Sequence, residues 1–273
     1  MDKTAIEHIQ QTAIDANGFR LPAALQDRAV ALPLDYGIKD LESLFQLRSR
    51  FRGAMQTQSI VDFVQYIKTK GNGEGFINAE NLSAKIFFNL GTTESPGHGD
   101  WTATLTLNPT AAYKALLDID GKTLNQRKLI DFLEDWAPLL SATSQESLDE
   151  LPLTTAINAI RKLTIKKTSE SESTQGEFNT SRSKFDDIEA KSSLGLPIGF
   201  TFTIHPYLGL PERRFLLRLS VFTDEEKEKP LITLRLIQRE AQQEMIAQDF
   251  KSVLFRELEG HATLTIGTFS PSL

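Results

Sequence analysis

Pro96-Gly97-His98-Gly99-Asp100 is where the residue types of this sequence come nearest to a reactive pair. Histidine titrates near neutrality, and a carboxylate two residues away can orient it, so the pair suits acid–base catalysis or half a metal site. A metal site needs three or four ligands, however, and His8, His205 and His261 show no ligand spacing. Glycine on both sides of His98 favours a backbone turn, with Asp100 accepting hydrogen bonds from loop amides. A structural or interaction loop is therefore the stronger reading, and catalysis the weaker.

Other short patterns are less specific. Glu189-Ala-Lys191, preceded by Asp186-Asp187, has the Glu-x-Lys half of a magnesium-dependent nuclease site, but it lacks buried strand and helix surroundings. A solvated charge run is the simpler reading. Asp118-Ile-Asp120-Gly121 resembles the start of a calcium loop without its later ligands, and reads as a helix–helix turn. Gly71-Asn-Gly-Glu-Gly75 follows a helix rather than a strand and is not followed by Gly-Lys-Ser/Thr, so it reads as a loop and not a phosphate cradle. No Gly-x-Ser-x-Gly elbow occurs. No catalytic, cofactor or metal residues emerge.

Two basic clusters remain. Arg48, Arg50 and Arg52 alternate around Phe51, so a strand there would align three guanidinium groups. Arginine interleaved with an aromatic suits phosphate contact and base stacking on single-stranded DNA. It equally suits salt bridges to an acidic partner surface. Arg161, Lys162, Lys166 and Lys167 form the second cluster.

The elements that must position these groups follow from periodicity. Ala5, Ile6, Ile9, Ala13 and Ala16 predict a helix over 2–16, stopped at Asn17-Gly18. Ile60, Phe63, Val64 and Ile67 predict one over 59–70, opened by Ser59 with Asp62. Strands follow at 76–78, 83–90 and 101–107; in the last, Trp101, Ala103, Leu105 and Leu107 share one face, a pattern typical of antiparallel pairing. Thr110 caps a helix over 111–117, and Thr123-Leu-Asn-Gln126 reads as a capping box opening another that buries Leu129, Phe132, Leu133 and Trp136. Pro138 and the polar run 141–150 read as a boundary or an exposed connection, followed by a helix over 153–163.

Residues 164–193 have the composition of a disordered segment. Ile165, Phe178, Phe185 and Ile188 as anchors, with Gly176 near the tip, favour a long polar β-ribbon, which needs support because isolated ribbons are marginal. Strands over 199–205, 214–223 and 231–238 form a meander, and a helix over 239–259 carries Ile246, Phe250, Val253, Leu254 and Leu258. A strand over 261–269 completes an α+β fold of mainly antiparallel sheet with packed helices. The divisions are an N-terminal helix and arm (1–45), an α+β half (46–140), and a meander-plus-helix half (150–273); the two halves can equally form one continuous domain. No internal repeat is visible.

The 273 residues suffice for a substantial core, and zero cysteines excludes disulfides and thiolate chemistry. A net charge of −6 gives no support to broad polyanion binding. The absence of long apolar runs argues against a membrane span, and the first residues lack a signal core, which argues for a cytoplasmic protein.

Several stretches occur in order: Arg48-Ser-Arg-Phe-Arg-Gly53, Ile77-Asn-Ala-Glu80, Ala84–Phe88, Asn89-Leu-Gly-Thr92 through Pro96-Gly-His98, and Ala103-Thr-Leu-Thr-Leu107. Tyr113-Lys-Ala-Leu-Leu117, Phe132-Leu-Glu-Asp-Trp136, Ser181-Arg-Ser183 and Ile188-Glu-Ala-Lys-Ser192 follow. Together they resemble the YfdQ-like family of uncharacterised tailed-phage and prophage proteins, over most of 45–255. The resemblance implies phage or prophage origin and residence in a bacterial host cell, with a DNA-metabolism role suggested by the usual company of such genes. It supplies no catalytic residues.

The expected function is a non-enzymatic protein that self-associates into a homo-oligomer through the arm and the ribbon. The alternatives are an accessory protein of phage DNA recombination that binds single-stranded DNA and, less favoured, a metal-dependent nuclease.

Overall fold

The computed structural model describes residues 3–18, 46–144, 150–165, 190–191, 195–223 and 230–271. The chain divides into two compact units, 1–51 and 52–273. In the first, helix α1 (Lys3–Gly18) is followed, after residues outside the described set, by irregular backbone at 46–51. Ile6 and Ile9 of α1 are exposed.

The second unit opens with strand β1 (Gly53–Thr57) and helix α2 (Ile60–Lys70). Ser59 accepts from the Asp62 amide and satisfies one of the orphan donors of α2's first turn. The stripe Ile60, Phe63, Val64 and Ile67 is buried. A meander follows, made of β2 (Gly73–Asn78), β3 (Ser83–Phe87) and β4 (Trp101–Thr106). Then come α3 (Ala111–Ile119), capped by Thr110, and β5 (Thr123–Asn125). Next are α4 (Gln126–Asp135), β6 (Leu140–Ser144), β7 (Glu150–Leu151) and α5 (Leu153–Arg161). Strands β8 (Thr164–Ile165) and β9 (Ala190–Lys191) pair antiparallel. That pair is the foot of the expected ribbon; the rest of 164–193 lies outside the described residues. A second meander comprises β10 (Pro197–Ile204), β11 (Arg213–Thr223) and β12 (Pro230–Leu236). Helix α6 (Arg239–Glu257) and strand β13 (Ala262–Ile266) finish the unit.

The fold is α+β, with two mostly antiparallel sheets ordered β1-β4-β3-β2-β13 and β5-β12-β11-β10-β6-β7. They share a plan that the sequence does not reveal. In each, the last meander strand pairs with a strand from earlier in the chain (β4 with β1, β12 with β5), and the first pairs with a further strand (β2 with β13, β10 with β6). The outer pairings of the first sheet are parallel, so β4 is antiparallel to β3 and parallel to β1. One buried apolar cluster contains side chains of both sheets, including Ile86 and Leu105 from the first and Phe202 and Phe215 from the second.

Five sequence readings are corrected. The segment 71–75 is not all loop: Gly73 and Gly75 are buried in β2, and a Cβ on either would collide with Ile86. Thr123 does not open a helix; it lies in β5, opposite Thr233, and Asn125 caps α4 by accepting from the Lys128 amide. The turn at Asp120 therefore joins a helix to a strand. The start of the run from 141 is a strand and not a connection, because Leu140–Ser144 pairs with β10 and sets Ala142 opposite Phe200. Of the side chains expected to be buried by α4, Leu129 and Leu133 are, while Phe132 and Trp136 are half-buried edge-on against Phe202.

Candidate functional site

The loop carrying His98 is built around Asn89. The Asn89 side-chain amide donates to Asp100 Oδ1 at 2.8 Å, and its Oδ1 accepts from the Trp101 amide at 3.0 Å. Its carbonyl accepts from the Gly99 amide at 3.1 Å, and the Leu90 carbonyl from Gly97 at 2.7 Å. Gly91 has φ 78° and bridges Pro96, and a Cβ on Gly97 would strike the Asn89 carbonyl, so this closure requires glycine. Trp101, Phe88 and Tyr66 anchor the base, with Trp101 Nε1 donating to the Tyr66 hydroxyl at 3.2 Å.

The carboxylate of Asp100 is thus engaged by the Asn89 side chain. His98 is exposed and makes no hydrogen bond among the described residues. Pro96 and Gly97 are exposed beside it, so the loop presents a surface and not an acid–base pair.

Arg48, Arg50 and Phe51 end the first unit, and Arg52 begins the second. Residues 46–52 are irregular and β1 starts only at Gly53, so no strand aligns the guanidinium groups. In the other basic cluster, Arg161 pairs with Glu134 at 2.9 Å, while Lys166 and Lys167 lie outside the described residues, as do Asp186, Asp187 and Glu189. Asp120 is committed to the Leu236 amide and to the Arg239 guanidinium. No group of three metal-ligating side chains exists among the described residues.

Two features escaped sequence analysis. On the outer face of the second sheet, Arg214, Leu216 and Arg218 of β11 are exposed, and Arg218 faces Arg235 of β12 directly across the ladder. These three arginines have no ion pair among the described residues. Like charges directly opposite each other cost stability, which a bound anion would offset. Strand alternation in Arg213–Thr223 carried the signal, but the pairing with Arg235 depends on register.

The second is a cavity of ≈ 420 Å³ between α3, α6, the β2–β3 turn and the loop after β10. Tyr113 lies in its wall with its ring 5.7 Å from that of Tyr207. Burial pushes the Tyr113 phenol up to about 12; Tyr207 adds to the shift, and Arg239 and Arg213 oppose it. Burial also raises Tyr207. Both phenols are therefore neutral near pH 7. Tyr113 and Tyr207 stand far apart in the chain, so no local pattern announces the cavity.

These features define an α+β protein with two sheets about one core and an open arginine-bearing face. The chain belongs to the family described as Uncharacterized conserved protein (DUF2303), which it matches over residues 2–269. That description names neither an activity nor a source. No curated protein and no solved structure shows significant similarity to it. No helix among the described residues is long and apolar enough to cross a membrane.

Proposed function

We propose that this is a non-enzymatic, phage- or prophage-encoded protein that self-associates into a homo-oligomer in the cytoplasm of a bacterial host. The observation carrying this reading is strand β13. It lies at the edge of the first sheet, pairs on one side with β2, and reads Ala-Thr-Leu-Thr-Ile without charge or proline. Edge strands are ordinarily blunted by such residues, and an unblunted one is a template for a further strand. Ile266 at its end is 59% exposed. Two copies related by a two-fold axis can pair β13 antiparallel with β13, making one continuous sheet. The exposed Ile6 and Ile9 of α1 supply further apolar surface for sister chains. The remaining arm and most of the ribbon lie outside the described residues.

Sedimentation velocity tests this. The wild-type chain should sediment as a dimer or larger at micromolar concentration, and Thr263→Lys with Thr265→Lys, both exposed on β13, should yield monomer with an unchanged circular dichroism spectrum. A wild-type monomer sinks the proposal.

The arginine face favours a second reading, an accessory role in DNA recombination through single-stranded DNA. Arg218→Glu with Arg235→Glu should weaken oligonucleotide binding and reduce the salt slope by about 0.7 for each phosphate no longer neutralised. Arg50→Glu tests the Arg48–Arg52 segment in the same assay. A labelled single strand whose mobility is unaltered by wild-type protein at low salt removes this reading.

A further inference from the structure

We infer that the cavity beside Tyr113 binds a small amino alcohol with an apolar body. Its walls include Leu82, Leu117 and Ile246, and its rim carries the carboxylates of Glu80 and Glu244. No cationic side chain lines it, and Arg213 and Arg239, which lie near enough to act on Tyr113, are already paired with Asp249 and Asp120. Tyr113 is 2% exposed, yet its hydroxyl has no hydrogen bond among the described residues. A buried phenol without a partner is uncommon, because the O–H lost its water on burial.

The two carboxylates and the buried Tyr113 hydroxyl call for different complements. An ammonium group matches the carboxylates and is attracted to the faces of the Tyr113 and Tyr207 rings. A hydroxyl matches Tyr113, since each can both donate and accept. An apolar body covers Leu117 and Ile246. The volume falls within the range of small-molecule sites. Glu80 is held at the rim by the β2–β3 turn, where Asn78 Oδ1 accepts from its amide at 3.1 Å and from that of Asn81 at 3.2 Å.

Isothermal titration of the full chain with three probes tests the inference. Phenylethanolamine carries both groups, phenethylamine lacks the hydroxyl, and phenylethanediol lacks the ammonium. Phenylethanolamine should bind about tenfold more tightly than either of the others. Tyr113→Phe should erase its preference over phenethylamine, and Glu80→Gln with Glu244→Gln its preference over the diol. Should Tyr113→Phe fail to fold, Ala247→Phe, which fills the cavity from α6, should abolish binding of all three. Equal affinity for the three probes, or no heat from phenylethanolamine at millimolar concentration, overturns the inference.

Discussion

Phe250→Ala should cost about 3–5 kcal/mol of stability, the range for a large buried aromatic cut to a methyl group. Helix α6 has 19 residues and few apolar anchors, with Ile246, Phe250 and Leu254 its buried residues and Leu258 just beyond. Phe250 is the largest of these and is fully buried. Truncation removes transfer free energy and leaves a hole that the close-packed core cannot fill without moving backbone. The Arg213–Asp249 pair ties the same turn of α6 to β11, so the helix cannot slide inward to close the gap. Phe255→Ala on the same helix is the control. Phe255 is 42% exposed, and its loss should cost less than about 1.5 kcal/mol. Urea titrations of both variants decide the matter; equal midpoint shifts would mean that α6 is not seated as described.

The same contrast shows what was legible beforehand. Helices α2 and α6 bury a stripe of their own residues, so spacing alone located them. The second meander was also visible, because Phe200, Phe202 and Ile204 alternate with Thr201 and Thr203 and so mark one buried face. Strand β6 was missed because Leu140 is its one large buried residue: Ala142 sits opposite Phe200, and the large partner supplies the volume that the local sequence lacks. Strand β2 was clipped for the converse reason. Gly73 and Gly75 look like punctuation, yet they are glycines because Ile86 occupies the space a Cβ would need. Strand β5 exists through its register with β12, and three residues carry no period of their own.

The candidate sites follow the same rule. The loop around His98 was found because its glycines and Asp100 are contiguous, although the role of Asn89 depends on its bond to Asp100, eleven residues on. The Tyr113 cavity is assembled from distant segments, so composition and spacing are silent about it, whereas the arginine face is half legible: Arg214 and Arg218 alternate along β11, but the meeting of Arg218 with Arg235 depends on register. The parallel outer pairings of the first sheet were equally hidden: alternation within β4 reports a buried face, not the direction of its neighbours.

Asp120→Ala should destabilise the chain by about 2–3 kcal/mol, the cost of leaving a buried donor unsatisfied together with a missing charge-assisted bond. Asp120 ends α3 and is only 9% exposed at its side chain. One carboxylate oxygen accepts from the Leu236 amide at 2.7 Å and the other from Arg239 at 3.1 Å, so a single residue fastens α3 to the end of β12 and the start of α6. The adjoining backbone reinforces the junction, with Gly121 donating to the Leu234 carbonyl at 2.8 Å. Alanine removes both acceptors; Arg239 can turn to water, but the Leu236 amide cannot. Asparagine keeps an acceptor for that amide while removing the charge opposite Arg239, so Asp120→Asn should fall between wild type and Asp120→Ala. Asp118→Ala, two residues earlier with its side chain 83% exposed and paired with Lys122, should stay within about 0.5 kcal/mol of wild type. If Asp118→Ala and Asp120→Ala melt together, the α3–β12–α6 junction is not held by this carboxylate.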